Sequence, residues 1–265
     1  MMKKSFRSGT AFLCLVGCSF LNFSCNDPAA EEVEVNREEI PESIIQKLTE
    51  LHFDTSDIMR HGDDYLVEGD MIFSPEQIDQ LYEDRIVNAK DEQYYTCNTG
   101  IASSGTITVR GYGLNSTMST GLDWAIANYN RINLTIQLVR VNGSADITVY
   151  SSGSGAGGVA GFPSGGNPYP YVNVYPGTAS YGTNVVEHVM AHEIGHCLGL
   201  RHTDWFNRAY SCSSGGSEGT GSYGACNIPG TPTGVDPNSI MLSCFSASED
   251  GEFSNYDIIG LQWLY

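Results

Sequence analysis

The most constraining feature of this sequence is a group of three histidines within residues 192 to 202, which read HEIGHCLGLRH. His192 and His196 are four positions apart, so on an α-helix both imidazoles project from the same face. Gly199 can adopt the left-handed conformation that ends a helix, which lets the chain turn back and bring His202 to the other two. Three neutral imidazoles with one open coordination position form a typical catalytic zinc site. The pattern therefore predicts a helix, an abrupt helix end and one bound Zn²⁺ ion.

Glu193 directly follows the first predicted ligand, where its carboxylate can hold a water molecule beside the metal. A carboxylate in that position can take a proton from the water as a general base. A closed structural metal site would need neither this glutamate nor an open coordination position. These residues therefore indicate metal-assisted hydrolysis with Glu193 as the catalytic residue.

The pattern HExxHxxGxxH of residues 192 to 202 resembles the signature of the metzincin zinc peptidases. Residues 192 to 196 (HEIGH) are similar to the motif of the bacterial HEIGH-type lipoprotein metallopeptidases, which have astacin-like and matrixin-like features. The resemblance covers most of residues 97 to 265. It implies an α+β, metzincin-like catalytic domain with a twisted mixed sheet, an active-site helix and a C-terminal helix. The implied activity is that of a zinc-dependent endopeptidase acting on protein or peptide substrates.

Metzincins also place a Met-containing turn beneath the metal, and by this resemblance Met241 forms the apolar floor of the site. Astacin-like relatives follow that turn with a tyrosine that steadies the oxyanion, whereas residues 242 to 244 here read LSC. The resemblance therefore assigns no oxyanion-stabilising residue. A glycine-rich apolar segment looks like the metzincin edge strand, which holds an extended peptide by strand addition. Its predicted substrate-binding residues are Val159, Ala160 and Gly161.

Charge divides the chain into segments. Residues 26 to 96 hold 20 acidic and 5 basic side chains, whereas residues 97 to 265 have few charges and no lysine. A formal net charge of −18 argues against nucleic-acid binding, which needs clustered lysine and arginine. Apolar periodicity predicts helices over residues 117 to 130, 183 to 198 and 254 to 264, with several short strands before the second helix. This order is typical of a mixed α+β domain.

Residues 1 to 25 have the pattern of an export signal, since a basic start is followed by a short apolar run. The run before Cys18 resembles the lipobox of bacterial lipoproteins, and Cys25 is the alternative lipidation site. We therefore expect an exported protein, either anchored to a bacterial membrane through an N-terminal lipid or secreted. Residues 26 to 40 are acidic and lack apolar periodicity, which predicts a tether.

Residues 41 to 95 are predicted to form a small α/β pro-domain. Residues 67 to 71 (VEGDM) resemble the pro-segment element of astacins, in which an aspartate occupies the open zinc position. Asp70 is therefore a candidate latency ligand, because a carboxylate binds zinc and would exclude the catalytic water. Cys97 is a rival blocking ligand. The alternative interpretation of residues 69 and 70 is a simple hairpin turn.

An oxidising compartment permits disulfides, and Cys212 and Cys226 bracket a glycine- and serine-rich loop that a bond between them would close. Two other functions remain open on sequence grounds: a non-catalytic, zinc-containing surface binding or adhesion module, and a zinc amidase acting on cell-wall peptides. We expect a monomer whose membrane contact is limited to the lipid. No pattern in the sequence indicates a calcium site or a cleavage preference.

Overall fold

The computed structural model describes residues 40 to 51, 53 to 87, 101 to 217 and 227 to 265. The strands form one mixed sheet accompanied by helices, which confirms the predicted α+β class. The strands are β1 (Met59–His61), β2 (Asp64–Val67), β3 (Met71–Phe73), β4 (Gly105–Tyr112), β5 (Ile136–Val141), β6 (Ile147–Tyr150), β7 (Gly158–Gly161) and β8 (Tyr171–Val174).

The helices predicted over residues 117 to 130, 183 to 198 and 254 to 264 are all present, with ends within one residue of the prediction. In the described ranges the α-helices are α1 (Glu42–Glu50), α2 (Pro75–Val87), α3 (Ser116–Asn130), α4 (Thr183–Leu198), α5 (Ala209–Cys212) and α6 (Asn255–Leu264), with a 3-10 helix at Pro176–Tyr181. None of these helices is both long and apolar enough to cross a membrane.

Several sequence predictions concern residues outside the described part of the chain. The signal segment and nearly all of the acidic tether belong to this group. So do the cysteines Cys18, Cys25, Cys97 and Cys226.

The sheet has eight strands in the order β1-β2-β3-β7-β8-β6-β4-β5. Strand β4 pairs in parallel with β5 and β6, and β6 pairs in parallel with β8. Strand β7 runs antiparallel to β8. Strands β1, β2 and β3 form an antiparallel meander that joins the sheet through β3.

The predicted edge strand is not at an edge. Strand β3 pairs in parallel with β7, with Met71 opposite Ala160 and Ile72 opposite Gly161. The Ala160 N–H donates a 2.9 Å hydrogen bond to the Asp70 carbonyl. The expectation that Val159, Ala160 and Gly161 lie on an open edge is therefore wrong for this form of the chain. The free side of β7 is occupied by the chain's own N-terminal segment, which comprises residues 40 to 51 and 53 to 87.

The N-terminal segment has a small apolar core that includes a residue from the later part of the chain. Phe162 packs on Phe73 with ring centres 5.5 Å apart, and Phe73 in turn contacts Phe53. Phe162 belongs to the same buried cluster as residues of α1, β2, β3 and α2. Residues 38 to 265 form one compact unit, so this segment shares both a sheet and a core with the chain that follows.

Helix α4 is buried on all sides. Every residue from Val185 to Leu198 is inaccessible or nearly so, because α4 packs between α3 and strands β7 and β8. Its sequence fits this position, because apolar residues occur on every side of the helix and such helices lie in protein interiors. The Tyr129 hydroxyl of α3 donates a 2.8 Å hydrogen bond to the Ala191 carbonyl. The polar residues that α4 carries therefore lie in the protein interior.

The predicted disulfide is also wrong in its pairing. Cys212 is bonded to Cys244, with Cα atoms 5.1 Å apart, and Cys226 is not its partner. Helix α5 carries Cys212 to the segment after residue 241, where the Ser211 hydroxyl accepts a 3.0 Å hydrogen bond from the Cys244 N–H. The bond therefore joins helix α5 to a loop that is close to it in space, and it does not close the glycine- and serine-rich loop.

Glu187 is a buried acid at the interface of α3 and α4, where Asn128 Nδ2 donates a 2.7 Å hydrogen bond to its Oε1 atom. Burial and the nearby Glu252 carboxylate raise the pKa of Glu187 to about 7, although Arg131 opposes the shift. The folded state therefore binds a proton more tightly than the unfolded chain does. The resulting stabilisation is complete below about pH 4.5 and is lost as the pH rises through about 7.

We expect Glu187→Gln to remove this loss of stability. At pH 8 the variant should have a free energy of unfolding about 1 kcal/mol above wild type, because solvent and Arg131 screen part of the buried charge. Urea denaturation at pH 4.5 and pH 8 measures the difference. Exposed Glu76→Gln is the control and should follow wild type at both values. Equal pH dependence in Glu187→Gln and wild type would contradict the prediction.

Candidate metal centre

The end of α4 delivers the third histidine to the first two. Gly199 has a φ of +112°, in the left-handed region that favours glycine, and it ends the helix. The Gly199 and Leu200 N–H groups both donate to the Gly195 carbonyl, at 3.0 and 2.9 Å. The chain then reverses, and His202 stacks against His192 with ring centres 5.3 Å apart. The structure thus brings together the three histidines that the sequence singled out.

The ring orientations indicate a cation between the histidines. His192 Nδ1 donates to the Ile240 carbonyl and His196 Nδ1 donates to the Leu200 carbonyl, each at 2.8 Å. A carbonyl can only accept, so Nδ1 of each ring carries a hydrogen and Nε2 of the neutral ring has a lone pair. The two Nε2 atoms are nevertheless 3.0 Å apart. Two lone pairs this close repel unless a proton or a metal ion lies between them.

Asp70 completes the group. Its Oδ2 atom lies 2.9 Å from His202 Nε2 and 3.6 Å from His192 Nε2, and the four ligand atoms all fall within 4.8 Å of one another. Burial opposes ionisation of Asp70, but the adjacent imidazoles, His202 foremost, hold its pKa below the ordinary value. Three imidazole nitrogens and one carboxylate oxygen form a donor set that fits zinc.

Glu193 lies beside the histidines but is not a member of the group of four ligand residues. Its side chain is buried, and its Oε2 atom has no hydrogen-bond partner in the described residues. Burial and the Asp70 charge raise the pKa of Glu193 well above its ordinary value, while His202 opposes the shift. Glu193 lines a cleft of about 750 Å³, counting space open to solvent, together with Asp70 and His192. The arrangement leaves this carboxylate free to act on a molecule in the cleft.

Met241 lies directly under the active-site helix. A Cβ atom added to Gly195 would come within 2.6 Å of Met241 Sδ, so only a glycine at this position of α4 allows the close approach. The Met241 carbonyl accepts a 2.8 Å hydrogen bond from the Thr203 N–H, next to His202. The turn that contains Met241 therefore contacts both the helix and the loop that carry the histidines.

Asp257 of α6 orients this turn, and the sequence analysis did not identify it. Its Oδ1 atom accepts from the Ser239 hydroxyl at 2.6 Å, and its Oδ2 atom accepts from the Ile240 N–H at 2.9 Å. The Ile240 carbonyl in turn accepts from His192. The available signal was the sequence Ser254-x-x-Asp257, which forms a capping box at the start of α6.

Two more residues near the histidines have defined positions. Asp204 is fully buried and accepts hydrogen bonds from the Ser243 N–H at 2.9 Å and the Ser211 hydroxyl at 2.6 Å, so it joins the loop after His202 to the segment after Met241. His188 is buried one turn before His192 and lies outside the group of four ligands. Burial lowers the pKa of His188 to about 4, although the Glu249 carboxylate opposes this.

Glu68 is a second buried acid of the N-terminal segment that the sequence analysis missed. Its Oε2 atom pairs with Arg201 Nη2 at 3.0 Å, and Arg208 donates to the Glu68 carbonyl. Glu68 is completely buried and has a φ of +56°, which is unusual for a residue other than glycine. A sequence signal existed, because Glu68 is a charged residue between two apolar strands.

Comparisons with known proteins agree with this site. Residues 65 to 265 match the family described as dual-action HEIGH metallo-peptidases, and the chain belongs to that family. It is therefore a zinc metallopeptidase, a hydrolase whose substrates are proteins or peptides, and the sequence resemblance is confirmed. The family match thus starts within β2, before Asp70.

Two solved structures of myroilysin are among the similar folds. One has 20% sequence identity and a TM-score of 0.40, and the match covers 60% of this chain and 79% of that chain. The other has 18% identity and a TM-score of 0.39, with coverage of 71% and 95%. A search of curated proteins found no match.

We expect Asp257→Ala to weaken zinc binding about tenfold, because the Ile240 carbonyl that orients His192 loses its support. The change also leaves the buried Ser239 hydroxyl and Ile240 N–H without their acceptor, which should cost about 1 to 3 kcal/mol of stability. Competition with a chromophoric chelator measures the zinc affinity. Exposed Asp250→Ala, on the loop before α6, is the control. Unchanged zinc affinity in folded Asp257→Ala would show that the turn does not orient His192.

Proposed function

We propose that this protein is a zinc-dependent endopeptidase made in a latent form, in which Asp70 holds the coordination position that catalysis requires. The observation that carries the proposal is the contact of Asp70 Oδ2 with His202 and His192, within reach of all three histidine ligands. A carboxylate there excludes the attacking water. Asp70 does lie in the turn of the β2–β3 hairpin, but a simple solvent-exposed turn would not bury its carboxylate against three imidazoles.

His192, His196 and His202 would hold the zinc ion, which acts as a Lewis acid on the scissile carbonyl and the attacking water. Glu193 takes a proton from the water and later passes it to the leaving amine. The Nδ1 hydrogen bonds to the Ile240 and Leu200 carbonyls keep two of the imidazoles in the tautomer that exposes Nε2.

The path of the N-terminal segment supports an endopeptidase. Strand β3 pairs with β7 beside the metal ligands, and Asp70 is an internal residue of the chain, preceded by β2 and followed by β3 and α2. This arrangement supports the binding of an internal stretch of polypeptide to β7 by strand addition. Removal of this segment would expose β7 for a substrate, in keeping with the predicted roles of Val159, Ala160 and Gly161.

Export is part of the proposal. The signal-like residues 1 to 25, with Cys18 or Cys25 as the lipidation site, favour a bacterial lipoprotein or a secreted enzyme that acts on extracellular or periplasmic proteins. The disulfide between Cys212 and Cys244 supports an oxidising compartment.

We expect Glu193→Ala to retain zinc and to lose turnover by at least about 10³-fold, because the water loses its general base. His196→Ala should lose the metal itself. The test uses the zinc-loaded full chain after brief trypsin treatment, which can cut after Lys90, followed by trypsin inhibition. Mass spectrometry then detects fragments of an unfolded protein, and elemental analysis measures zinc.

Cuts made by wild type and absent from Glu193→Ala would establish the peptidase. The absence of cuts by folded, zinc-loaded and processed wild type would instead favour the binding-module alternative. Retention of one equivalent of zinc by His196→Ala would contradict the ligand assignment.

We expect Asp70→Ala to raise the activity of the unprocessed chain at least about tenfold over unprocessed wild type, because the zinc position opens to water. Peptide hydrolysis is measured before any proteolytic treatment, with electrophoresis to confirm an intact chain. Exposed Asp63→Ala, in the turn between β1 and β2, is the matched control and should stay latent. Equal activity of unprocessed Asp70→Ala and wild type would remove Asp70 from the latency mechanism.

A further inference from the structure

Two buried arginines lie near His202, the third histidine ligand. Arg201 immediately precedes His202 and is 4% exposed, and Arg208 is 7% exposed. Arg208 lines the cleft that contains Asp70 and Glu193. Arg201 lines a second cavity of about 660 Å³, counting space open to solvent, which is also lined by His202 and Met241. Both guanidinium groups are thus close to the site where a peptide bond would be cut.

The N-terminal segment places an anion beside each of these arginines. The Glu68 carboxylate pairs with Arg201 at 3.0 Å, and Asp57 lies 3.9 Å from Arg208. The Phe53 ring also covers Arg201, with its centre 4.5 Å from Cζ. Departure of the segment would remove these contacts together. The position that the Glu68 carboxylate occupies beside Arg201 would then be open to a carboxylate of a substrate.

We propose that Arg201, assisted by Arg208, determines specificity in the processed enzyme by binding an acidic side chain of the substrate. This inference rests on the proposed function. The planar guanidinium group of Arg201 is suited to a carboxylate, which it can bind through two parallel hydrogen bonds. Glu68 therefore occupies the position that an Asp or Glu of the substrate takes after activation.

The spacing of Glu68 and Asp70 limits where that acidic residue lies. Asp70 contacts the histidines and Glu68, two residues earlier, contacts Arg201. Two residues span at most about 7 Å of chain. The substrate carboxylate should therefore belong to a residue within about two positions of the scissile bond.

The contacts also favour a side-chain carboxylate over a chain terminus. Arg208 donates to the main-chain carbonyl of Glu68, and the chain continues through Gly69 to the metal ligands. The site therefore binds a residue with polypeptide on both sides. A free C-terminal carboxylate has the same chemistry, so the experiment must separate the two sources.

The experiment uses the zinc-loaded full chain after limited proteolysis. The substrates are peptides with blocked termini that differ at one position, with Glu or Gln placed at each of three positions on either side of the cleaved bond. In wild type we expect one position within two residues of the bond at which Glu gives a kcat/KM at least about tenfold above Gln. A matched peptide with a free C-terminus should gain no comparable advantage.

Variants then test whether Arg201 causes the preference for Glu over Gln. In Arg201→Gln the Glu-to-Gln ratio should fall to about 1 while the Gln peptide is still cleaved. Arg201→Lys keeps the positive charge but cannot make the two parallel hydrogen bonds, so it should give an intermediate ratio. This variant allows the test to be completed if Arg201→Gln does not fold. Arg110→Gln on β4, where the arginine lies over the Tyr112 ring, is the control for loss of a positive charge and should retain the wild-type ratio.

Equal rates for Glu and Gln at every position in wild type would overturn the inference and leave the peptidase intact. A preference that persists in Arg201→Gln, or an advantage confined to the free C-terminus, would also overturn it. No cleavage of any peptide by the zinc-loaded, processed wild type would count against the proposed function itself.

Discussion

The nitrogen atoms of His192, His196 and His202 and a carboxylate oxygen of Asp70 meet within 4.8 Å in the protein interior. All four groups are electron-pair donors, so they repel one another without a cation between them. Burial of α4 and the turn that contains Met241 hold them in place. Metal binding and local stability are therefore coupled, because the folded chain brings the ligands together before the ion neutralises their repulsion.

The N-terminal segment occupies the cleft through strand pairing and carboxylate contacts, which a substrate could also make. Its strand β3 pairs with β7, Asp70 reaches the histidines and Glu68 reaches Arg201. Each acid is buried, and each lies beside groups that carry or attract positive charge. The contacts that would keep the enzyme latent are thus the same as those that would select a substrate. Both the N-terminal segment and a substrate would pair with β7 and place carboxylates beside the histidines or Arg201.

The sequence predicted the parts of the site that depend on local geometry. The interval between His192 and His196 places both on one helical face, and the glycine at position 199 ends the helix at the predicted residue. Asp257 was missed because its partners lie on another element, although its capping box is visible in the sequence. The pairing of Cys212 was wrong because proximity along the chain was used where proximity in space decides.

By itself the sequence determined the α+β class, the active-site helix and the peptidase family, because helical period, glycine conformation and motif spacing act within a few residues. The tertiary structure decided that β3 covers β7 and that Glu68 pairs with Arg201, 133 positions away. It also decided the bond between Cys212 and Cys244. Such contacts depend on the path of the whole chain, since burial and charge pairing between distant segments have no local pattern.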